Sequence, residues 1–193
     1  MKTSLGFSDD ERGKIAVLYW EAFGPKLNIV MGPDHRGIAF VNDVLDPTHA
    51  LRARDDDDGH LLGVAGFKTH DGALVGGKAR DMAKHYGWVS SLWRIGLISL
   101  LERDTENARF LMDGIFVSNR ARGKGVGTAL LDAVCAEAKA RGYGEVRLDV
   151  IGTNPRARAL YERQGFVATD TQHLGLLRHV FGFKSSETMV WPV

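Results

Sequence analysis

The second half of the chain carries the segment Met112-Asp113-Gly114-Ile115-Phe116-Val117, continued by Ser118-Asn119-Arg120-Ala121 and Arg122-Gly123-Lys124-Gly125-Val126-Gly127-Thr128. An apolar strand enters a turn with alternating glycines, and apolar residues at helical spacing follow the turn. Glycines permit positive φ and let a ligand approach the backbone closely. The N-terminus of the helix offers unpaired N–H groups and a positive dipole end. The turn therefore favours a phosphate-binding site over a plain strand-to-helix connection, with Arg122 and Lys124 adding positive charge.

Two other phosphate-binding patterns fit this turn poorly. A Walker loop places Lys between its last Gly and a Ser or Thr, whereas Lys124 precedes Gly125 and Gly127. A dinucleotide fingerprint needs a third Gly or Ala, and Thr128 stands at that position. The turn also follows a strand in the middle of the chain instead of opening a βαβ unit. A nucleotide-binding oxidoreductase is therefore the weaker alternative.

A second segment has the pattern of a short, capped helix. It reads Asn154-Pro155-Arg156-Ala157-Arg158-Ala159-Leu160-Tyr161-Glu162-Arg163-Gln164-Gly165-Phe166. Asn is a good N-cap and Pro suits the first helical position. Gly165 ends the helix before Phe166 opens a strand. These features predict a short helix between two strands, and by themselves they are compatible with a purely structural role.

Taken together, the two segments resemble the signatures of the GNAT acetyltransferase superfamily. The matching patterns are Arg122-x-x-Gly125-x-Gly127 and Asn154-x-x-Ala157-x-x-Leu160-Tyr161-x-x-x-Gly165-Phe166. Their order and the helix and strand between them also match, although Asn119 replaces a Pro that the family often has. The resemblance covers roughly Phe110 to Thr169. It implies an α/β fold with a mixed, mostly antiparallel central sheet, flanking helices and a splayed pair of middle strands.

The resemblance also implies acetyl-CoA as a co-substrate and a set of residues that hold it. The backbone amides of the turn would bind its pyrophosphate; they belong to Arg122, Gly123, Lys124, Gly125, Val126, Gly127 and Thr128. The pantetheine arm and thioester would lie along Ile115, Phe116 and Val117. Asn154 would contact the pantetheine arm or hold the two middle strands apart.

Two residues are candidates for proton transfer. Tyr161 would act as the general acid that protonates the departing CoA thiolate, since a tyrosine has a reference pKa of ~10. The alternative is that it only packs and closes a pocket. Asp113 would act as the base that deprotonates the acceptor amine, or would hydrogen-bond to neighbouring backbone. On a strand of period two it shares a face with Ile115 and Val117. Asp149 in the next strand has a similar, weaker claim.

Metal and covalent chemistry are not expected. Cys135 is the only cysteine and falls within an apolar helical pattern, so neither a disulfide nor a Cys-based metal site is expected. The four aspartates Asp55 to Asp58 read as a solvated hairpin turn. No Cys–His or Ser–His arrangement is apparent, which favours direct transfer without an acyl-enzyme.

The bulk properties agree with a single enzyme domain. The 193 residues contain 44% hydrophobic and 25% charged residues with a net charge of +1, which offers no field for nucleic acid or a membrane surface. We expect one N-acetyltransferase domain over 1–193, with a CoA-binding core at about 108–170 and acceptor-selecting elements at about 1–105 and 171–193. The apolar stretch Val89 to Leu101 is too short and polar to span a bilayer. A cytoplasmic monomer or homodimer is predicted.

The predicted activity is transfer of an acetyl group from acetyl-CoA to a primary amine. The acceptor could be a small molecule, a protein N-terminus or a lysine. The alternative is a CoA-binding sensor or a degenerate acetyltransferase without turnover. Tyr19, Trp20 and Phe23, on a first helix that we expect to end at Gly24-Pro25, could line an acceptor pocket or pack in the core.

Overall fold

The computed structural model describes residues 1–101, 109–175 and 178–193. The expected boundary between acceptor-selecting and cofactor-binding segments, at about 105–108, lies outside these residues. The elements are β1 (Lys2–Leu5), α1 (Asp9–Met31), α2 (Asp34–Val44), β2 (Ala50–Arg54), β3 (Leu61–Thr69), β4 (Gly72–Ala73), α3 (Ala79–Tyr86), α4 (Trp88–Leu101), β5 (Phe110–Val117), α5 (Val126–Ala140), β6 (Glu145–Ile151), α6 (Pro155–Arg163), β7 (Val167–His173), α7 (Arg178–Phe181) and β8 (Ser185–Pro192).

The strands form one mixed sheet, as predicted. Their order is β1-β2-β3-β5-β6-β8-β7, with β4 on β3. Within the described residues β5 and β6 pair in parallel, and the other strand pairs are antiparallel. The parallel ladder joins Phe110 to Val146 and ends where Met112 meets Leu148. Beyond that point the two middle strands separate, which confirms the predicted splay.

Helices cover both faces of the sheet and divide the core in two. On one face, α5 packs Leu130, Leu131 and Val134 against the sheet. On the other face, α1 and α2 form a second cluster that includes Ile15 and Val41. Because the central strand β3 is buried on both sides, it forms a nearly continuous apolar run instead of an alternating one.

The sequence predicts that helix α1 ends at Gly24-Pro25, but the helix continues to Met31. A proline inside a helix costs about 3 kcal/mol or more because it removes a hydrogen bond and clashes with the preceding turn. Burial of Val30 and Met31 beyond the proline offsets that cost, since both side chains lie within the second core cluster. Helix α1 is therefore two turns longer than predicted, and the added turns contain Lys26.

Other differences from the sequence prediction are smaller. The sequence predicts one or two helices from Ala79 to Leu101; the structure has two, because Gly87 between them has a φ of +76°. Strand β1 and helix α7 were not predicted. In α4, Ile95 and Ile98 pack onto the second core cluster, whereas Trp88 is exposed. In the part of the chain that the structure describes, no helix combines the length and apolarity needed to cross a bilayer.

Candidate active site

The glycine turn forms an open cradle at the start of α5. Gly125 is the N-cap of α5 and has a φ of +78°, and Gly123 has the same φ. The first helical hydrogen bond joins the Ala129 amide to the Gly125 carbonyl at 3.0 Å. Within the described residues, the backbone amides of Val126, Gly127 and Thr128 donate no hydrogen bond. A Cβ built at Gly123 or Gly125 would meet no atom within 4 Å, so the cradle faces open space and fits an anion.

Helix α6 lies directly against this cradle. A Cβ built at Gly127 would lie 3.1 Å from Cδ2 of Leu160, so glycine at this position lets α6 approach closely. The Asn154 side chain accepts a hydrogen bond from the Ala157 amide at 3.2 Å and so caps α6. The structure therefore brings the two sequence segments together. The role of Asn154 towards pantetheine stays a prediction.

Tyr161, the predicted acid, is buried beside α5. Its side chain packs with Phe166 at a ring-centroid distance of 6.0 Å, and it belongs to the core cluster under α5. Burial raises the pKa of Tyr161 to about 12, because the phenolate loses solvation. The phenol therefore stays protonated near neutral pH, as a proton donor must.

A β-bulge changes the expected position of Asp113. Gly66 pairs with Gly114 and Phe67 with Met112, so Asp113 is an extra residue in β5. The expectation that Asp113 shares a face with Ile115 and Val117 is therefore wrong, because one inserted residue breaks the period-two alternation. Ile115 and Val117 pack towards α5, whereas Asp113 is exposed and lines a cavity on the opposite face of the sheet.

This cavity has a volume of about 440 Å³, within the range typical of small-molecule sites. Of the residues that the structure describes, three charged ones line it, namely Lys26, Lys68 and Asp113. Its apolar lining consists of Tyr19, Phe23, Leu27, Met31, Phe40, Leu74, Val75, Met82, Ile95, Ile98, Phe116, Ile151, Phe181 and Phe183. Since Asp113 and Ile151 lie beyond the last paired residues of β5 and β6, the cavity extends to the splay between the middle strands.

Two of the three α1 aromatics line this cavity. The ring centroids of Tyr19 and Phe23 are 4.7 Å apart, and those of Phe23 and Phe116 are 6.2 Å apart. Trp20 instead lies in the core, where its Nε1 donates to Asp34 at 3.1 Å. Sequence reasoning missed Lys26, although it stands one helical turn beyond Phe23. Because the sequence prediction ends α1 at Gly24-Pro25, it does not place Lys26 on this face of the helix.

The close approach of Phe23 to the bulge predicts the effect of Gly114→Ala. The φ of Gly114 is outside the positive region, but an added Cβ would lie 2.6 Å from Cζ of Phe23. We expect a loss of about 1–3 kcal/mol in the free energy of unfolding, measured by urea denaturation. Adding Phe23→Leu should recover most of the loss. Wild-type stability of Gly114→Ala alone would contradict this packing.

The other candidate groups are engaged or chemically inert. The Asp149 carboxylate accepts a hydrogen bond from the Thr188 hydroxyl at 2.6 Å and pairs with Arg147 at 3.5 Å. Burial raises the pKa of the Cys135 thiol to about 11, so the reactive thiolate is scarce at neutral pH. Across residues 1–101, 109–175 and 178–193, no group of three His, Cys, Asp or Glu side chains could hold a metal ion.

Comparisons with known proteins agree with this geometry. The sequence matches the model of the acetyltransferase (GNAT) family over residues 14–166. Over 55 residues it is 49% identical to a mycothiol acetyltransferase of Beutenbergia cavernae; this match covers 28% of the chain and 18% of that relative. The chain thus matches less than a fifth of the curated relative's length.

Solved structures share the fold. An N-acetyltransferase from Staphylococcus aureus Mu50 superposes with a TM-score of 0.67 at 12% identity, over 99% of this chain and 100% of that chain. A Bacillus subtilis acetyltransferase in complex with CoA gives a TM-score of 0.51 at 15% identity, over 75% of this chain and 76% of that one. At these identities the likeness shows the fold alone.

Proposed function

The chain belongs to the acetyltransferase (GNAT) family, and from that premise we propose that it transfers an acetyl group from acetyl-CoA to a primary amine by direct attack. The observation that carries the proposal is the position of β5 between two sites. Its splayed half borders the cavity through Asp113, Gly114 and Phe116, and the chain then enters the glycine turn. A donor along this strand would have its phosphates at the turn and its thioester beside the cavity.

The residues of the turn suit the donor's pyrophosphate. The free amides at the start of α5 and the positive end of its dipole favour a bound anion. Arg122 and Lys124 are exposed next to these amides and would add charge-assisted hydrogen bonds. Thr128, also exposed in the first turn of α5, adds a hydroxyl. The donor supplies the acetyl group as an activated thioester.

The splayed strand suits the pantetheine arm. Residues Ile115, Phe116 and Val117 pair with β3 on one side, while the β5–β6 ladder has already ended on the other. Backbone groups facing the splay would therefore be open to the amides of the pantetheine arm. A backbone N–H aimed at the thioester oxygen would stabilise the negative charge that develops there.

The transfer needs two proton movements. As the C–N bond forms and the C–S bond breaks, Tyr161 gives its proton to the departing sulfur and is reprotonated from solvent. Asp113, at the edge of the cavity, accepts the proton that the attacking amine loses, directly or through water.

Thermal unfolding tests the donor assignment. Acetyl-CoA, CoA, NAD and ATP are added separately, each near 100 times its dissociation constant. Binding then stabilises the fold by about 2.7 kcal/mol, or roughly 5–11 °C for a chain of this size. We expect a shift with acetyl-CoA and CoA, and acetylation of amines in a thiol-release assay. A shift with NAD or ATP alone would overturn the proposal. A shift with acetyl-CoA but no transfer to any amine would favour a CoA-binding sensor.

Asp113→Asn tests the base. The substitution keeps the shape of the side chain and removes its charge, so kcat should fall by about 100-fold near neutral pH. The loss should shrink as the pH approaches ~10, where a lysine-like acceptor is already deprotonated in solution. Asp149→Asn, in the neighbouring strand β6, is the control and should lose far less activity. A pH–rate profile of Asp113→Asn that superposes on the wild type would return Asp113 to a structural role.

A further inference from the structure

Lys26 places a positive charge at the wall of the cavity that Asp113 lines. Its Nζ lies 5.5 Å from the ring centroid of Phe23, in a cation–π contact. No carboxylate in the described residues forms an ion pair with it. The side chain is half-buried, and burial lowers the pKa of Lys26 because its charged form loses solvation. The described residues therefore leave this ammonium only partly compensated.

Among the described residues, the charged side chains around the cavity leave a net positive wall. Lys68 projects from β3 and lines the same space, and Asp113 is the one carboxylate among the described lining residues. The remaining lining is mostly aliphatic and aromatic. A charge in such surroundings is costly unless a partner neutralises it, so a bound anion would be stabilised here more than at an exposed lysine.

The geometry also relates this charge to the reacting centre. The tip of the Phe23 ring approaches the β5 bulge at Gly114, and the Lys26 ammonium lies over the same ring, 5.5 Å from its centroid. One aromatic ring therefore contacts both the ammonium and the splayed part of β5 beside which the thioester would lie. A small acceptor could place its amine near Asp113 and an anionic group near Lys26 at the same time.

We propose that the acceptor is a small primary amine with an apolar body and a carboxylate, and that Lys26 binds the carboxylate. This inference rests on the proposed function. A carboxylate fits better than a phosphate monoester, because the two lysines and one aspartate among the described lining residues offer one net positive charge, whereas a phosphate monoester carries about −1.5 to −2 near pH 7. The cavity volume of about 440 Å³ suits a small molecule.

Matched acceptor pairs test this inference with the full-length protein and acetyl-CoA. L-phenylalanine is compared with L-phenylalaninamide, and 6-aminohexanoate with hexylamine, by thiol release. We expect at least one carboxylated member to exceed its neutral partner by about tenfold or more in kcat/KM, as for a hydrogen bond to a charged group. The amine of L-phenylalaninamide is less basic than that of L-phenylalanine, so a larger fraction of it is deprotonated and able to attack. This difference favours the neutral member of the first pair and therefore works against the expected result.

Substitutions at Lys26 connect the preference to this residue. Lys26→Met should abolish the preference, mainly by raising KM for the carboxylated acceptor, and should keep the acetyl-CoA thermal shift. Lys26→Arg should retain much of the preference. Lys14→Met is the matched control, because Lys14 is exposed on the same helix, and it should behave as the wild type.

The outcomes separate the two proposals. Acetylation of neutral amines as good as or better than that of their carboxylated partners would overturn the inference and leave the transferase assignment intact. So would a preference that survives in Lys26→Met, acetylation of Lys26 itself, or transfer to neutral amines but to no carboxylated acceptor. The absence of an acetyl-CoA thermal shift would instead overturn the proposed function.

Discussion

Gly125→Leu is expected to abolish acetyl-CoA binding while leaving the protein folded. The residue is the N-cap of α5 at a φ of +78°, and an added side chain would extend into the open space in front of the free amides. That space is where the pyrophosphate would bind. The positive φ adds a strain of about 1–2 kcal/mol, which a stable domain can tolerate. The measurement is the acetyl-CoA thermal shift, which should fall from roughly 5–11 °C to near zero.

Gly142→Leu separates the loss of the ligand from the backbone strain. Gly142 follows the other end of α5, has a φ of +79°, and also has no atom within 4 Å of an added Cβ. Both variants should therefore lose similar stability without ligand, but only Gly125→Leu should lose the shift. Equal shifts in the two variants would mean that the glycine turn does not hold the donor.

Tyr161→Phe is expected to lower kcat by about 100-fold, the lower range for a general acid, and to leave acetyl-CoA affinity nearly unchanged. The substitution keeps the packing against Phe166 and removes only the hydroxyl. Steady-state kinetics and the thermal shift together measure the two effects. Tyr143→Phe is the control, since Tyr143 packs on Phe110 in the same core cluster and has no proposed role in the reaction. If Tyr161→Phe has the wild-type kcat, Tyr161 has a packing role and is not the general acid.

The buried phenol also predicts how stability depends on pH. With its pKa raised from 10.0 to about 12, folded Tyr161 keeps a proton that the unfolded chain releases above pH ~10. Its contribution to stability is therefore fully present below pH ~10 and is lost as the pH rises towards 12. Denaturant unfolding at pH 9 and 11 should show a smaller decline for Tyr161→Phe than for the wild type. An equal decline would indicate that the hydroxyl is not desolvated.

Much of the framework followed from local chemistry. The sequence predicts strands from Leu61 to Thr69 and from Glu145 to Ile151, and β3 and β6 have these bounds. The first is a short apolar run and the second alternates apolar and polar residues, the two patterns typical of strands in a sheet. The start of α6 was clear from Asn154 and Pro155, an N-cap followed by a proline at the first helical position. The glycine turn was identified from its alternating glycines between a strand and a helical pattern, and Gly123 and Gly125 have φ values of +78°, which glycine adopts most readily.

The acceptor side of the molecule was predicted less well. Proline is a strong local signal for the end of a helix, yet α1 passes through Pro25 because Val30 and Met31 are buried farther along. That burial depends on packing between segments that lie far apart in the chain. The same extension carries Lys26 to the cavity, so the residue on which the acceptor inference depends could not be placed from helix-end rules.

The bulge at Asp113 illustrates the division between local and tertiary information. Residue types alone specified a strand, a glycine turn and a capped helix, because each needs only near neighbours in the chain to form. Whether Asp113 faces α5 or the cavity depends on how β5 pairs with Gly66 and Phe67 of β3. Because side chains alternate between the two faces of a sheet, a single inserted residue moves the side chains after it to the opposite face. The cavity that Asp113 lines likewise forms where α1, α4 and the sheet meet, and such contacts between distant segments leave no periodic trace in the sequence.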